Sequence, residues 1–350
     1  MVKLIIKGRL KTNKNGKMSK LKLIIIFLVV ALTVGAGVYF LLPEKQEEKV
    51  YRVGILSGLE FFADLIDYFK EEMAVLGYIE GENIIYDIYQ ASEKVGNEQA
   101  IRKFIEDGAD LILVFPTEAS LEAKAIAADS GVPIVFTSAF IEGTGLVESV
   151  RISGGNITGV RYPTTESATG RLEILYEIAP QIKHVWIPYL KDYPTIAAQI
   201  ESVGPVAEFL DITVADAGFS SPQEIKDYLD ELTASGDIKM DAILMLAEPF
   251  SVTPEVTEAV FKFAEEQNLP VSSALILEDV RGPIIGFHPE NAKMGRLAAP
   301  LADKVLKGVP AGTIPVVTAD NDLRVNYNLI QKLGLTVGED LLSRAIKVVR

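Results

Sequence analysis

Two glutamates lie at equivalent points of two similar segments of the chain. Glu118 follows the apolar run of residues 111–115, and Glu248 follows the apolar run of residues 242–247. As a pair, the carboxylates could serve as general acid and base in a hydrolase, or one of them could bind the ammonium group of a ligand. Each could instead be an acid in the first turn of a helix, where the helix dipole stabilises it, and Asp192 has the same alternatives.

Helix starts could bind the opposite group, a ligand carboxylate, through their backbone N–H groups. The sequence predicts such starts at Thr117 and Ser138, and a turn of similar use at Ser57 and Gly58. Arg161 is a further candidate, because a guanidinium donates two parallel hydrogen bonds to two carboxylate oxygens. A salt bridge at a hinge is the alternative for Arg161.

Several aromatic side chains could stack on an aromatic ligand or pack one lobe against another. These are Tyr189, Tyr193, Phe250 and Phe287, while Phe61 or Phe62 could cap a cleft. The candidate ligand-binding set also includes the polar tip residue Thr137 and Leu275, which ends the second segment.

Buried parallel strands would position these side chains. Residues 110–140 and 241–275 each run from an acid through an apolar run, a polar tip and a helix to a second apolar run led by proline. Apolar runs that alternate with helices indicate parallel strands buried on both faces. Ligands bind at the carboxyl ends of such strands, where the polar tips lie. Two such units predict an α/β fold with two lobes whose tips face a cleft.

The region between the two segments continues the alternation. Residues 164–178 predict a helix that Pro180 ends, and residues 184–190 predict a strand. Residues 209–215 predict the next strand, and residues 291–306 predict a late helix.

Composition excludes several classes of protein. The chain has 350 residues, of which 49% are hydrophobic and 23% charged, as in globular proteins of two domains. The absence of cysteine excludes disulfides, thiolate metal sites, a catalytic cysteine and a lipid-bearing N-terminal cysteine. With two histidines, a histidine-rich metal site is disfavoured. No dinucleotide fingerprint, Walker A loop or GxSxG motif occurs. We therefore expect no metal and no cofactor.

The N-terminal region predicts a membrane anchor. Residues 23–42 carry no charge and are long enough to span a bilayer. Residues 1–22 carry eight Lys or Arg and no acid, which places them in the cytoplasm and the body of the protein outside. We predict an uncleaved anchor followed by a linker at residues 43–49. Cleavage near residues 35–37 is the alternative.

The charge of the body bears on its partners. The net charge of −14 with eight cations in residues 1–22 leaves the rest of the chain near −22. An acidic body argues against nucleic acid as a partner.

Short motifs in a fixed order give the chain a family resemblance. The more specific ones are LGYIEGEN at residues 76–83 and GGNITG at 154–159. Others are RVGIL at 52–56, ADLILV at 109–114, GVPIVFT at 131–137, GTGLV at 143–147, DAIL at 241–244, GRLA at 295–298 and KLGL at 332–335. From about Tyr51 to the C-terminus, the chain resembles the ABC-transporter substrate-binding proteins of the tryptophan/tyrosine-binding type.

The resemblance implies a type I periplasmic-binding-protein-like fold, with two α/β lobes joined by three crossovers near Arg161, Gly286 and Gly308. The N-lobe would comprise residues 50–161 and 287–309, and the C-lobe residues 162–286 and 310–350. The family also implies capture of a small ligand between the lobes by hinge closure and delivery to a membrane permease with its ATPase.

Three functions follow from these patterns. The first is the solute-binding component of an ABC importer, without chemistry of its own, whose ligand is an amino acid, aromatic or branched. The second is a ligand-sensing ectodomain that works with a separate signalling partner. The third is a hydrolase that uses Glu118 and Glu248. We favour the first, since the paired glutamates are the sole support for an enzyme.

Overall fold

The computed structural model describes residues 24, 25, 27, 28, 49–59, 62–90, 96–274 and 281–350. Val50–Arg350 form one compact unit. Ile24, Ile25, Phe27 and Leu28 are helical, and the rest of the predicted anchor at residues 23–42 lies outside the described residues, as do residues 1–22 and 43–48. No helix within the described ranges is both long and apolar enough to cross a bilayer.

The first lobe is built on a parallel sheet. Among the described residues, its strands are β1 (Tyr51–Ser57), β2 (Ile84–Gln90), β3 (Leu111–Phe115), β4 (Ile134–Ala139), β5 (Ile157–Arg161) and β11 (Val317–Thr318). Their order is β11-β5-β4-β3-β1-β2, and all neighbours run parallel.

Helices cover both faces of this sheet. They are α1 (Leu65–Val75), α2 (Asn97–Glu106), α3 (Thr117–Ala127) and α8 (Asn291–Leu306). Leu113 and Phe115 of β3 pack in one core with α1 and α8, while Ile112 and Val114 pack in another with α2 and α3. Every residue of β3 is buried, because successive side chains of a strand point to opposite faces and both faces are covered.

The second lobe repeats this arrangement. Its strands are β6 (His184–Leu190), β7 (Thr213–Phe219), β8 (Ala242–Leu244), β9 (Val271–Ser273), β10 (Ile285–His288), β12 (Asp322–Asn326) and β13 (Ala345–Val349). Within the part of the chain described, their order is β13-β12-β10-β9-β8-β6-β7, and the β10–β12 pair is antiparallel while the other pairs are parallel.

Helices again lie on both faces of the second sheet. They are α4 (Thr164–Ile178), α5 (Ile196–Phe209), α6 (Pro222–Ser235), α7 (Pro254–Gln267), α9 (Tyr327–Lys332) and α10 (Glu339–Arg344). Val185 and Ile187 of β6 pack in a core with α4 and α5, whereas Trp186 packs in a core with α6 and α7. The predicted α/β fold with two sheets, each wound with helices on both faces, is confirmed; the first sheet is parallel and the second is parallel except for the β10–β12 pair.

The chain passes between the sheets at three points. The first two crossovers follow Arg161 and His288, within two residues of the predicted positions. The prediction of the third near Gly308 is wrong, because β11 pairs with β5 in the first sheet, with Val317 beside Val160. The first lobe therefore continues to Thr318, and the second lobe resumes with β12.

The strand predicted at residues 209–215 is also misplaced. Phe209 is the last residue of α5 and is 87% exposed. Asp211 follows with φ of 56°, a left-handed conformation that turns the chain out of the helix. The strand β7 begins at Thr213, and Ile212 is the buried residue of this connection.

Gly295 of α8 permits the close approach of α8 to α1. A Cβ at this position would lie 2.6 Å from the carbonyl oxygen of Leu65 and 3.0 Å from the backbone nitrogen of Phe69. Because these atoms belong to a helix backbone, they cannot rotate away. We expect Gly295→Ala to lower the free energy of unfolding by about 1–3 kcal/mol, measured by urea denaturation.

Gly204→Ala in α5 is the matched control. Outside its own helix and its two chain neighbours, no atom lies within 4 Å of a Cβ built there. Alanine has the better helix propensity but is crowded by the following Pro205, so the free energy of unfolding should change by less than about 1 kcal/mol. Equal effects of the two substitutions would contradict the described packing of α1 on α8.

Candidate ligand-binding site

A cavity of about 450 Å³ lies at the carboxyl ends of strands from both sheets. The first lobe supplies Gly58, Leu59, Phe62, Asn97, Pro116, Thr117, Glu118, Ala119, Ser138 and Phe140, and Asn291 of α8. The second lobe supplies Tyr193, Ala247, Glu248, Pro249, Ser251, Val252, Thr253, Pro254 and Ala274, and residues at the crossovers supply Tyr162, His288 and Pro289. The volume is in the usual range for small-molecule sites.

Aromatic rings form one wall of the cavity. Phe140 meets Tyr162 edge to face with ring centroids 5.3 Å apart, and it meets Tyr193 in the same way at 6.4 Å. Phe62 lines the cavity and lies edge to face with Phe115 of β3 at 6.3 Å. Rings held in this way present an apolar surface that favours a flat apolar or aromatic group.

Glu248 is the buried acid of the cavity, with 4% of its surface exposed. The side chain of Gln199 fixes the backbone before it, since its Nε2 donates to the carbonyl oxygen of Ala247 and its Oε1 accepts from the Ala247 N–H, both at 3.1 Å. Oε2 of Glu248 accepts hydrogen bonds from the backbone N–H of Phe250 at 3.0 Å and of Leu190 at 3.3 Å. Oε1 is buried and has no hydrogen-bond partner.

The environment of Glu248 shifts its protonation. Burial raises the pKa of the Glu248 carboxyl from the usual 4.5 to about 7, although the two backbone N–H groups favour the charged form. The carboxyl is therefore part neutral and part charged near pH 7. A cation that enters the cavity would stabilise the charged form.

Glu118, the acid that the first lobe contributes to the cavity, has a different environment. It is exposed, in the first turn of α3, and its Oε1 accepts a hydrogen bond from the Tyr193 hydroxyl at 2.9 Å. Burial raises the pKa of Tyr193 well above its ordinary value, and the negative charge of Glu118 adds to this effect. Because Glu118 belongs to the first lobe and Tyr193 to the second, this hydrogen bond joins the lobes across the cavity.

Three further predicted residues line the cavity where strands end. Thr117 Oγ1 accepts from the Phe140 N–H at 3.0 Å, which ties the start of α3 to the end of β4. Ser138 has φ of 50°, at an irregularity in the pairing of β4 with β5. A Cβ on Gly58 would lie 3.0 Å from the Cβ of Ala119 and 3.2 Å from Pro116, so glycine lets the turn after β1 lie against α3.

The other described candidates lie away from the cavity lining. Ser57 and Thr137 are buried, and their hydroxyls donate to the carbonyl oxygens of Leu59 and Met294. Asp192 is exposed in a turn, and the half-buried Tyr189 donates to Asp216. Phe250 is buried in the core of the second lobe, and Phe287 packs against Gly170. Phe61 and Leu275 lie outside the described residues.

Arg161 takes part in the ion pairs that the hinge alternative describes. It pairs with Glu142 of the first lobe at 2.5 Å and with Glu166 of α4 in the second lobe. Its Nε also donates to the hydroxyl of Thr318 at 2.8 Å, at the third crossover. Burial lowers the pKa of Arg161, but the two carboxylates outweigh this effect and raise it. A guanidinium engaged in this way has little capacity for a ligand carboxylate.

Sequence reasoning omitted several residues that line the cavity. Phe140 and Tyr162 directly follow β4 and β5, so the rule that ligands bind at carboxyl ends of strands could have included them. Ser251, Thr253 and Asn291 gave no such signal, because they reach the cavity through loops or a helix start. Within the described residues, no group of three or more His, Asp or Glu side chains could hold a metal ion.

The raised pKa of Glu248 predicts a pH dependence of stability. The folded state binds the proton more tightly than an unfolded chain whose glutamate titrates near 4.5, so the free energy of unfolding falls as the pH rises from there to about 7. The difference between a pKa of 4.5 in the unfolded chain and about 7 in the folded state corresponds to about 3 kcal/mol in the free energy of unfolding. Because glutamine does not ionise, we expect Glu248→Gln to gain stability relative to the wild type between about pH 5 and pH 8, by urea denaturation.

Glu208→Gln, at an exposed position of α5, is the control for this measurement. Its stability should follow that of the wild type across the same pH range. If the Glu248 variant also follows the wild type, the carboxyl is not the buried, neutral-prone group described.

Comparison with known proteins places the chain in a family. A family model for ABC transporter substrate-binding proteins matches residues 63–349. A tyrosine-binding protein from Clostridioides difficile (strain R20291) is 26% identical over 266 residues, which are 74% of this chain and 73% of the relative.

Two solved structures share the fold. One is a conserved domain protein from Vibrio cholerae, 22% identical, and the other is an ABC domain from Streptococcus pneumonia in complex with L-Trp, 20% identical. Each has a TM-score of 0.71 and covers 86% of this chain and 100% of its own. The resemblance drawn from the motifs is confirmed. Since the family model matches nearly all of the compact unit, the chain belongs to the ABC transporter substrate-binding protein family.

Proposed function

We propose that the chain is the extracytoplasmic solute-binding component of an ABC importer and that its ligand is an α-amino acid with an aromatic side chain. The observation that carries this proposal is the buried carboxylate of Glu248, with one unpartnered oxygen, in a cavity walled by aromatic rings.

The unpartnered oxygen supports an ammonium group on the ligand. A buried acceptor without a partner costs free energy, and a charged donor that reaches it recovers that cost. Contact requires Oε1, covered in this conformation, to turn toward the cavity. Charge-assisted hydrogen bonds are stronger than hydrogen bonds between neutral groups, so the ammonium of an amino acid suits Glu248 better than a neutral donor. Glu118 adds a second acidic side chain to the cavity lining.

The aromatic wall supports an aromatic side chain. Phe62, Phe140, Tyr162 and Tyr193 line the cavity, and a volume of about 450 Å³ accommodates an amino acid of the size of tyrosine or tryptophan. The names of the relatives agree with this class, since one is a tyrosine-binding protein and another was solved with L-Trp.

Hinge closure around the ligand is part of the proposal. The lobes are joined by three crossovers, and the Tyr193–Glu118 hydrogen bond and the contact of Phe140 with Tyr193 also join them beside the cavity. A ligand that contacts both lobes would favour the closed form in proportion to the difference in its affinity for the two forms. The closed form would then deliver the ligand to a membrane permease that works with an ATPase.

The location of the protein follows from residues 1–42. The uncharged stretch of residues 23–42 is long enough to span a bilayer, and the eight cations before it favour a cytoplasmic N-terminus. We infer a single-pass anchor that holds the binding unit near its permease outside the cytoplasm.

The ligand class is tested by isothermal titration of residues 43–350, the linker with the compact unit, against L-tryptophan and L-tyrosine. We expect one of them to bind and Glu248→Gln to weaken that affinity by about 10–100-fold, since a hydrogen bond to a charged group is worth roughly 1.5–3 kcal/mol. Glu208→Gln should bind as the wild type does. Binding of sugars or nucleosides in place of both amino acids would contradict the proposed ligand class.

The anchor is tested by fractionation of cells that express the full chain. We expect the protein to sediment with membranes, to remain there after a high-salt wash and to be released by detergent, because burial of an apolar helix in lipid does not depend on salt. Deletion of residues 1–42 should release it. A soluble mature form that begins near residue 37 would contradict an uncleaved anchor.

A further inference from the structure

A second buried charge lies close to the cavity and has no described role. Arg171 of α4 is fully buried. Its Nη1 donates to the carbonyl oxygen of Phe287 at 3.3 Å, while Nε and Nη2 are buried without a hydrogen-bond partner. Of the described residues, none places a carboxylate within ion-pair distance of it, in contrast to Arg161 and Arg324, which pair with glutamates.

A buried arginine without an acid is costly to retain. Moving a charge out of water costs several kcal/mol in proteins, and replacement by an apolar residue of similar volume is often neutral or stabilising. Burial lowers the pKa of Arg171, but a guanidinium keeps its charge inside proteins. The charge of Arg171 therefore contributes little to the stability of the fold, and a role in ligand binding would explain it.

Arg171 lies one residue layer behind the cavity. The carbonyl that it contacts belongs to Phe287, next to His288, which lines the cavity. The backbone carbonyl oxygen of Arg171 accepts a hydrogen bond from the Ser272 hydroxyl of β9. Ala274, which directly follows β9, lines the cavity.

Tyr162 lies between the guanidinium and the cavity. Its ring lines the cavity, and its negative partial charge at the hydroxyl is close enough to favour the charged form of Arg171. The hydroxyl itself is buried, and among the described residues no acceptor receives its O–H. The phenol oxygen can accept from the nearby guanidinium, so the Tyr162 O–H is the donor of this pair that lacks an acceptor.

We propose that Tyr162 and Arg171 recognise the carboxylate of the ligand, with Tyr162 as the group in contact and Arg171 as the positive charge behind it. This inference rests on the proposed function, since it assumes an amino acid in the cavity. Arg171 is a positioning residue: it orients the phenol as a donor and favours an anion at the cavity wall. Contact requires the Tyr162 hydroxyl, covered in this conformation, to turn toward the ligand.

Glu248 and the Tyr162–Arg171 pair give the cavity one group for a cation and another for an anion. Glu248 offers an acceptor for the ammonium, and Tyr162 with Arg171 offers a donor for the carboxylate. An α-amino acid carries both groups on one carbon, so this arrangement discriminates against amines, amides and acids that carry one of them.

The experiment compares each amino acid with its amide, which keeps the ammonium and replaces the carboxylate by a neutral group. L-tryptophan with L-tryptophanamide, and L-tyrosine with L-tyrosinamide, are titrated into the wild type, Tyr162→Phe, Arg171→Met and Arg171→Lys. We expect the wild type to prefer the acid at least about tenfold, and Tyr162→Phe and Arg171→Met to lose most of that preference through weaker binding of the acid. Arg171→Lys should retain more of it than Arg171→Met.

Arg324→Met is the control, because Arg324 is an arginine of the second lobe that is partly buried and pairs with Glu290. It should change the affinity for acid and amide by the same factor. The melting temperature of ligand-free Arg171→Met should equal or exceed that of the wild type, which separates a binding role from a structural one. If that variant does not fold, Tyr162→Phe carries the test alone.

The outcomes separate the two proposals. If the wild type binds the amino acid but the Tyr162 and Arg171 variants lower the affinity for acid and amide equally, or not at all, the inference is overturned and the proposed function stands. If the wild type binds neither tryptophan nor tyrosine, the proposed function fails and the inference fails with it.

Discussion

The half-satisfied carboxylate of Glu248 sets the electrostatics of the cleft. Two backbone N–H groups hold one of its oxygens, while the other is buried without a partner, and burial raises the pKa of the carboxyl to about 7. The side chain of Gln199 holds the backbone before Glu248 through two hydrogen bonds to Ala247. The unpartnered oxygen costs free energy while no cation is bound, and a bound cation removes that cost. This difference favours ligands that carry a positive charge.

Charged side chains link the two lobes at the crossovers. Arg161 links Glu142 of the first lobe with Glu166 of the second, and Lys293 of α8 pairs with Asp322 of β12 at 2.6 Å. These contacts lie on the side of the cavity where the chain passes between lobes. The Tyr193–Glu118 hydrogen bond is a further link between the lobes. The lobes are therefore tied by ion pairs at the crossovers and by a hydrogen bond at the cavity.

Sequence patterns predicted the two sheets and the side of the sheets that holds the site, because continuous apolar runs and terminal polar residues are local features. Glu248 was found this way, and so were Glu118 and Thr117. Pairing between distant segments was not predictable: β11 joins β5 across more than 150 positions, as Val317 pairs with Val160. Arg171 also gave no signal, since its burial and its lack of an acid arise from packing of α4 on β9 and β10.

The role of Glu248 in binding is tested most directly by the number of protons released when the ligand binds. Titration of L-tryptophan or L-tyrosine at pH 7, in buffers of different ionisation enthalpy, gives the number of protons released per ligand bound. If the ligand ammonium stabilises the charged form of a Glu248 with a pKa of about 7, about half a proton should be released, and less as the pH rises toward 8.5. A binding heat that does not depend on the buffer, or uptake of protons, would contradict the central role of Glu248.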